Sequence, residues 1–326
     1  MTEEPSPAAL EAAHCWERDD RVPGRPEMTA FRRRTRLHHA AWREARGHPI
    51  GTQPIAPRPG DTTRLVGSRL PLDYARATGA NFLTPGALAA VRARMAAKEA
   101  HQVLSAQRVW ADLLWSEAMA VNLFGDLAAD LDLADQAVHA WWPDAPGRVV
   151  AVRFAHSPGR LDLDYIGNLS TFEAAFILDI EDGSSGIVAV AARYHEHTRR
   201  HLPKPTRLSR YLHVAERAGV FGEEAIEAVN GTDLLVTWLG HLLLLSMLQH
   251  PSGDWSWGRF VMLHPAGNTD FVDAACRYGA LLTDRSTFGA MTLEDLLATD
   301  ALPPATSGAV RDRYLGAPTG QVARVS

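Results

Sequence analysis

The stretch GIVAVAARYHEH, residues 186–197, runs from an apolar strand pattern straight into Arg193, Tyr194, His195 and Glu196. A strand that delivers charged groups at its end is a common way to build an active site. Upstream, STFEAAFILD forms a second apolar run, and EDGSSG separates the two. This pattern predicts a β-hairpin with strands over 171–180 and 186–194. Antiparallel pairing brings Glu173, at the start of the first strand, beside Arg193, at the end of the second. Glu196 falls within reach of both, while Asp179 and Asp182 fall at the turn end. Glu117, in LLWSEAMAVNLF, is an acid on an otherwise apolar helix, where a buried carboxylate needs a partner. The plainer alternatives are an exposed strand-edge acid at Glu173 and a solvated helix face at Glu117. The positions just inside the strand end are Ala191 and Ala192, whose methyl groups cannot ligate anything.

Other candidates surround this hairpin. His195, His197 and His201 have a spacing that could suit a metal, but HEHTRRH is polar throughout and reads as a solvated face. Ser157 and Arg160, in HSPGR, could contact phosphate or simply form a turn. From Arg193 to Arg210 there are six basic residues and one acid, Glu196, and FRRRTR adds a second basic cluster. Beside a cleft, Arg160, Arg199, Arg200 and Arg207 could follow a phosphate backbone; away from one they are a solvated surface. Glycine-rich phosphate loops and nucleophile-elbow patterns are absent.

The elements that must position these residues follow from periodicity. Residues 1–30 are charged and aperiodic and are expected to lack order. Residues 31–79 are expected to form a helical arm, over TAFRRRTRLHHAAWREARG, and a Pro-rich linker. The main domain is expected over 80–326. Thr84 and Pro85 make a good helix start. A second helix is expected over VLSAQRVWADLLWSEAMAVNLFGDLA, and a third ends at Pro143. A strand over GRVVAVRFAHSPGR precedes the hairpin, and helices follow it. A further strand, WGRFVMLHP, leads into the helix FVDAACRYGALL and two short helices. This order favours an α/β fold, a central mixed β-sheet flanked by helices, with an N-terminal helical arm.

Composition excludes several classes. The 326 residues are 46% hydrophobic and carry a net charge of −5, as a globular chain does. The longest apolar stretch, LLVTWLGHLLLLSMLQH, is interrupted by Gly240 and His241 and reads as a buried helix rather than a membrane span. The N-terminus has no apolar core of a secretory signal, and Cys15 and Cys276 are the two cysteines. Both observations suit a reducing cytoplasm. The basic residues comprise 31 arginines and two lysines, Lys98 and Lys204, so a mechanism that needs a lysine has little choice.

Taken in order, WSEAMAVNLFGDL, VRFAHSPGRLDLDYIGN, STFEAAFILD, GIVAVAARYHE, WGRFVMLHPAGN and STFGAMTLEDLL resemble a bacterial branch of the PD-(D/E)XK nuclease superfamily, the restriction-endonuclease-like fold. The resemblance implies DNA as substrate and Mg²⁺ as cofactor, with Glu117 and Glu173 as metal ligands and catalytic acids. It places Arg193 where the family has its catalytic lysine, Ala191 where it has the acid of acid–x–lysine, and Ala155 where it usually has Glu. The catalytic strand thus looks as if it has lost its acid. Arginine stays protonated and cannot shuttle a proton as lysine can. Glu196, Glu117 or Lys98 could compensate. Otherwise the chain would be an inactive pseudo-nuclease serving as a DNA- or protein-binding subunit, with a homodimer as one form of partner, or a structural subunit with a closed cleft.

Overall fold

The computed structural model describes residues 4–15, 29–53, 63–97 and 104–316. In chain order, α1 (Pro7–Ala12) and α2 (Ala30–Ala45) precede the short pair β1 (Gly51–Thr52) and β2 (Leu65–Val66). Then come α3 (Leu72–Thr78), α4 (Pro85–Ala96), α5 (Ala106–Ala111), α6 (Ser116–Ala129) and α7 (Leu131–Trp141). The sheet begins with β3 (Arg148–His156), β4 (Phe172–Asp179) and β5 (Ser185–Ala192). Helices α8 (Pro205–Ala218), α9 (Ala225–Val229) and α10 (Leu235–Leu248) lead to β6 (Trp255–His264), α11 (Thr269–Ala280) and β7 (Phe288–Thr292). Helices α12 (Leu293–Ala298) and α13 (Pro304–Val310) run into a π-helical turn over Arg311–Leu315.

The main sheet has the order β3-β4-β5-β6-β7. Its β3, β4 and β5 run antiparallel, and β6 and β7 add parallel to β5. Alternation divides two cores. Phe176, Leu178, Val188, Val190 and Val261 face a core shared with α4, α6 and α7. Ile177, Ile187, Ala189, Phe260 and Met262 face another, built with α8, α10 and α11. Covering both faces explains why β4 and β5 read as continuous apolar runs. The α/β sheet flanked by helices, and the N-terminal helix, match expectation.

Several local readings change. Residues 1–30 were expected to lack order, yet Pro7–Ala12 is helical, capped by Ser6 Oγ, and Leu10 and Cys15 bury against Ala40. Residues 63–71 lie on the body rather than bridging freely: Arg69 Nε donates to Thr52 O and Leu70 N to Ala111 O. The expected single helix over 103–128 breaks at Asp112. Asp112 Oδ1 accepts Leu114 N, and Oδ2 pairs with Arg69 at 3.0 Å, so the side chain stops one helix and opens the approach to the next. This break puts Glu117 in the first turn of α6. The expectation of four strands omits the two-residue pair β1 and β2 and also β7, a short edge strand whose FGAMT lacks clear alternation. Among the described residues no helix is long and apolar enough to cross a membrane, and α10 is a buried helix as expected.

Candidate functional site

The hairpin pairs Ala174 with Val190 and Asp179 with Ser185, so Glu173 falls at the Arg193 end and Asp179 at the other. Arg193 Nη1 donates to Glu173 Oε1 at 2.6 Å and to Ala192 O at 2.7 Å. Ala192 N donates to Glu173 Oε2 at 3.1 Å. Both Glu173 oxygens are therefore occupied, in a residue only 8% exposed. Glu196 returns to the same place two residues past the strand. Its Oε1 accepts Ser116 Oγ at 2.5 Å and its Oε2 accepts Tyr194 N at 2.8 Å. Ser116 is the residue before Glu117, so the start of α6 and the loop after β5 are stitched together.

Electrostatics bind the four charged residues into one unit. Burial pushes the Glu117 carboxyl up to about 8, and repulsion from Glu173 and Glu196 adds to the effect, with Arg193 opposing. Burial likewise holds Glu173 above the ordinary carboxylate range, against the pull of Arg193. Burial opposes the charge on Arg193, yet Glu173, Glu196 and Glu117 together hold it above the usual guanidinium value. The carboxylates expected to converge do converge, and they converge on a guanidinium.

The loop carrying Arg193 and Glu196 is held from several elements that sequence reasoning did not assign to the site. Arg32 Nε, from α2, donates to His195 O at 2.8 Å. Asn268 Nδ2, ahead of α11, donates to Tyr194 O and Glu196 O at 2.9 and 3.0 Å. His39 Nε2 donates to Tyr194 Oη, which donates to Tyr314 O. His195, expected on a solvated face, instead directs Nδ1 to Leu114 O at 3.0 Å, and burial keeps its ring well below the usual histidine range. The signals available were Asn268 in HPAGN and the abrupt apolar-to-polar change at Arg193; nothing local marks Arg32.

The basic residues sit on different elements. Arg160 Nη2 donates to Ala155 O at 2.7 Å, where Ala155 sits at φ +45 at the end of β3. Arg94, from α4, also donates to Phe154 O and Ala155 O, so this strained strand end is clamped by two guanidiniums. Arg199 and Arg200 are exposed in the segment leading to α8, and Arg199 Nε meets His197 Nε2 at 2.7 Å. Arg207 lies in the first turn of α8 against the loop around Gly167. Lys98 lies outside the described residues. A cavity of about 530 Å³ opens between α4, α6 and β3, lined by Arg94, Arg153, His156 and small residues; Glu173 and Arg193 are not among its walls.

This donor set does not fit a divalent ion. Glu173 and Glu196 each accept a hydrogen bond on both oxygens, position 191 contributes a methyl group, and the Arg193 guanidinium stands against Glu173 where a metal would approach it. Among the described residues, no three His, Cys, Asp or Glu side chains are placed to hold a metal. No curated protein and no solved structure matches the chain. A family model of the PD-(D/E)XK nuclease superfamily matches residues 22–316, from the N-terminal arm through all five strands to the last turn. The chain, with its five-stranded mixed sheet and its acids gathered at the end of the β4–β5 hairpin, belongs to that superfamily.

Proposed function

We propose that this chain is a nuclease-like protein that acts on DNA and whose Mg²⁺-dependent phosphodiester hydrolysis is impaired by Ala191 and Arg193. Members of the superfamily generally use divalent metals. The observation that carries the reading is the Glu173–Arg193 contact at 2.6 Å: the strand acid that would anchor a metal is spent on the residue in the lysine place. Glu117, Glu173 and Arg193 are then what remains of the catalytic set, and Glu117 and Glu173 of the metal set. Arg199, Arg200 and Arg207 would contact phosphate rather than bases, and Arg160 would support the neighbouring turn. Two free cysteines, Cys15 and Cys276, suit a reducing cytoplasm.

The test is a cleavage assay on single- and double-stranded DNA with Mg²⁺ and with Mn²⁺, run beside a binding titration. Binding without cleavage is the expected result. Cleavage abolished by Glu173→Ala would show an active enzyme. A protein-binding subunit, including a homodimer, is favoured by one observation. Leu202 is 86% exposed, and Leu163, also exposed, lies beside Gly167 and Arg207. Absence of DNA binding together with a concentration-dependent mass would support it.

A further inference from the structure

The acids of this pocket already hold a cation. Arg193 Nη1 reaches Glu173 Oε1 at 2.6 Å and Ala192 O at 2.7 Å. The remaining Glu173 oxygen takes Ala192 N, and Glu196 takes Ser116 Oγ and Tyr194 N. A divalent ion of the Mg²⁺ type wants a near-octahedral shell of oxygens, anchored by free carboxylates. A guanidinium asks less: it is planar, weakly hydrated, and spreads a single charge over a fork of donors.

Arg193 is also not a surface arginine free to swing away. Its side chain is 20% exposed. The backbone after it is tied by Arg32 to His195 O, by Asn268 to Tyr194 O and Glu196 O, and by His195 to Leu114 O. These ties come from α2, from the segment before α11 and from the α5–α6 break, so three separate parts of the fold fix the loop that follows Arg193, while the guanidinium itself is held by Glu173 Oε1 and Ala192 O. We propose that the Arg193 guanidinium is the resident cation of this pocket, standing in the place of a divalent ion and closing the pocket to one. The pocket is thus built to accept a planar monocation, supplied by the chain itself.

The inference rests on the impaired-hydrolysis half of the proposed function and is independent of DNA binding. The experiment has two arms on the full chain. In the first, Mn²⁺ is titrated into the wild type and followed by electron paramagnetic resonance, with Glu173→Gln as control. No Mn²⁺ uptake sensitive to that substitution is expected; saturable uptake lost in Glu173→Gln overturns the proposal. In the second arm, Arg193→Ala vacates the pocket, and melting temperature is followed in millimolar guanidinium, with equal NaCl and equal urea as controls. A ligand that binds the native state alone raises its stability. Guanidinium is expected to raise the melting temperature of Arg193→Ala by several degrees while leaving the wild type unchanged or lowering it. A variant that guanidinium only destabilises, as it does the wild type, overturns the proposal. Should Arg193→Ala not fold, the Mn²⁺ arm decides on the wild type. Loss of DNA binding with both arms as expected would remove the DNA reading alone, and Glu173-dependent Mn²⁺ uptake beside intact DNA binding would remove this inference alone.

Discussion

Replacing Arg193 by methionine, Glu173 by glutamine, and both together should give three very different stabilities. Arg193→Met leaves the Glu173 carboxylate 8% exposed with Ala192 N as its remaining donor. Breaking a buried ion pair from one side costs about 3–5 kcal/mol, because the other charge stays buried and unpaired. Glu173→Gln is milder. The amide oxygen can still accept from Arg193 or Ala192 N, and the guanidinium keeps Glu196 as a counter-charge. A cost of roughly 1–2 kcal/mol follows from one weakened charged hydrogen bond. The double replacement buries no ion pair at this position and should fall within about 1–2 kcal/mol of the wild type, since neutral replacements of buried pairs are often tolerated. The coupling energy between the two positions is then on the order of 2–6 kcal/mol, at or above the roughly 0.5–3 kcal/mol usual for residues in contact. With about 2 °C per kcal/mol for a large domain, Arg193→Met should melt roughly 6–10 °C below the wild type. Urea unfolding and thermal melts at neutral pH measure all four corners of the cycle. An Arg193→Met protein as stable as the wild type would refute the reasoning, because Glu173 would then not depend on the guanidinium.

Three further outcomes are expected. Restoring Ala191→Glu alone should leave cleavage poor, whereas Ala191→Glu with Arg193→Lys should raise the cleavage rate by ~10²-fold or more, the scale of positioned electrostatic and acid–base groups; gel-based cleavage with Mg²⁺ checks it. DNA affinity should fall steeply with salt, and removing Arg199, Arg200 or Arg207 should each reduce the slope of log K against log salt by about one, uniformly across sequences; a titration at several salt concentrations reads this. His241 is fully buried between Tyr278 Oη and Thr287 Oγ1, and burial lowers it to about 3. Its folded-state value lies below the unfolded one, so the unfolded chain takes the proton first and stability is lost as pH falls from about 6.5 toward 3. At pH 5 that loss is about 2 kcal/mol, from roughly 1.5 pH units at 1.36 kcal/mol each. His241→Gln should remove this part of the acid sensitivity, seen as a smaller difference between urea unfolding at pH 7.5 and pH 5.

The hairpin was legible because its determinants are local: two apolar runs, a polar turn rich in glycine and serine, and a sharp end to the apolar pattern at Arg193. Once the strands pair, the meeting of Glu173, Arg193 and Glu196 is geometry. The placement of Glu117 was legible only in part. ADLLWSEAMAVN suits a continuous helix by propensity and periodicity, and the break comes from Asp112 pairing with Arg69, a residue 43 positions away. The same holds for His195, which local polarity assigns to solvent and which the fold turns toward Leu114 O. Arg32 could not be assigned at all, since its partner is a backbone carbonyl 163 residues further on and the cluster around it reads as basic surface. The placement of Arg160, Arg199, Arg200 and Arg207 was equally hidden, because closeness in sequence says nothing of which guanidiniums are already bound to carbonyls.

On the proposed reading, Ala191 and Arg193 act together as a single change in charge balance. In an acid–x–lysine site, two strand acids face one lysine and leave one negative charge uncompensated, which favours a bound divalent cation. In this chain position 191 is alanine, so Glu173 and Arg193 are already neutral as a pair. With Glu196 counted beside that pair, adding a divalent ion would leave a net positive charge among poorly solvated groups, where burial lifts Glu117 to about 8 and so favours its uncharged form at neutral pH. Coulomb interactions there are far less screened than in water. Ala191 alone would weaken a metal site, and Arg193 alone would compete with one. Together they remove both a ligand and the charge imbalance that a metal would correct. For that reason changing only one of the two positions should not restore hydrolysis: Ala191→Glu supplies an acid but leaves the Arg193 guanidinium on Glu173, and Arg193→Lys supplies an ammonium to a strand without a second acid.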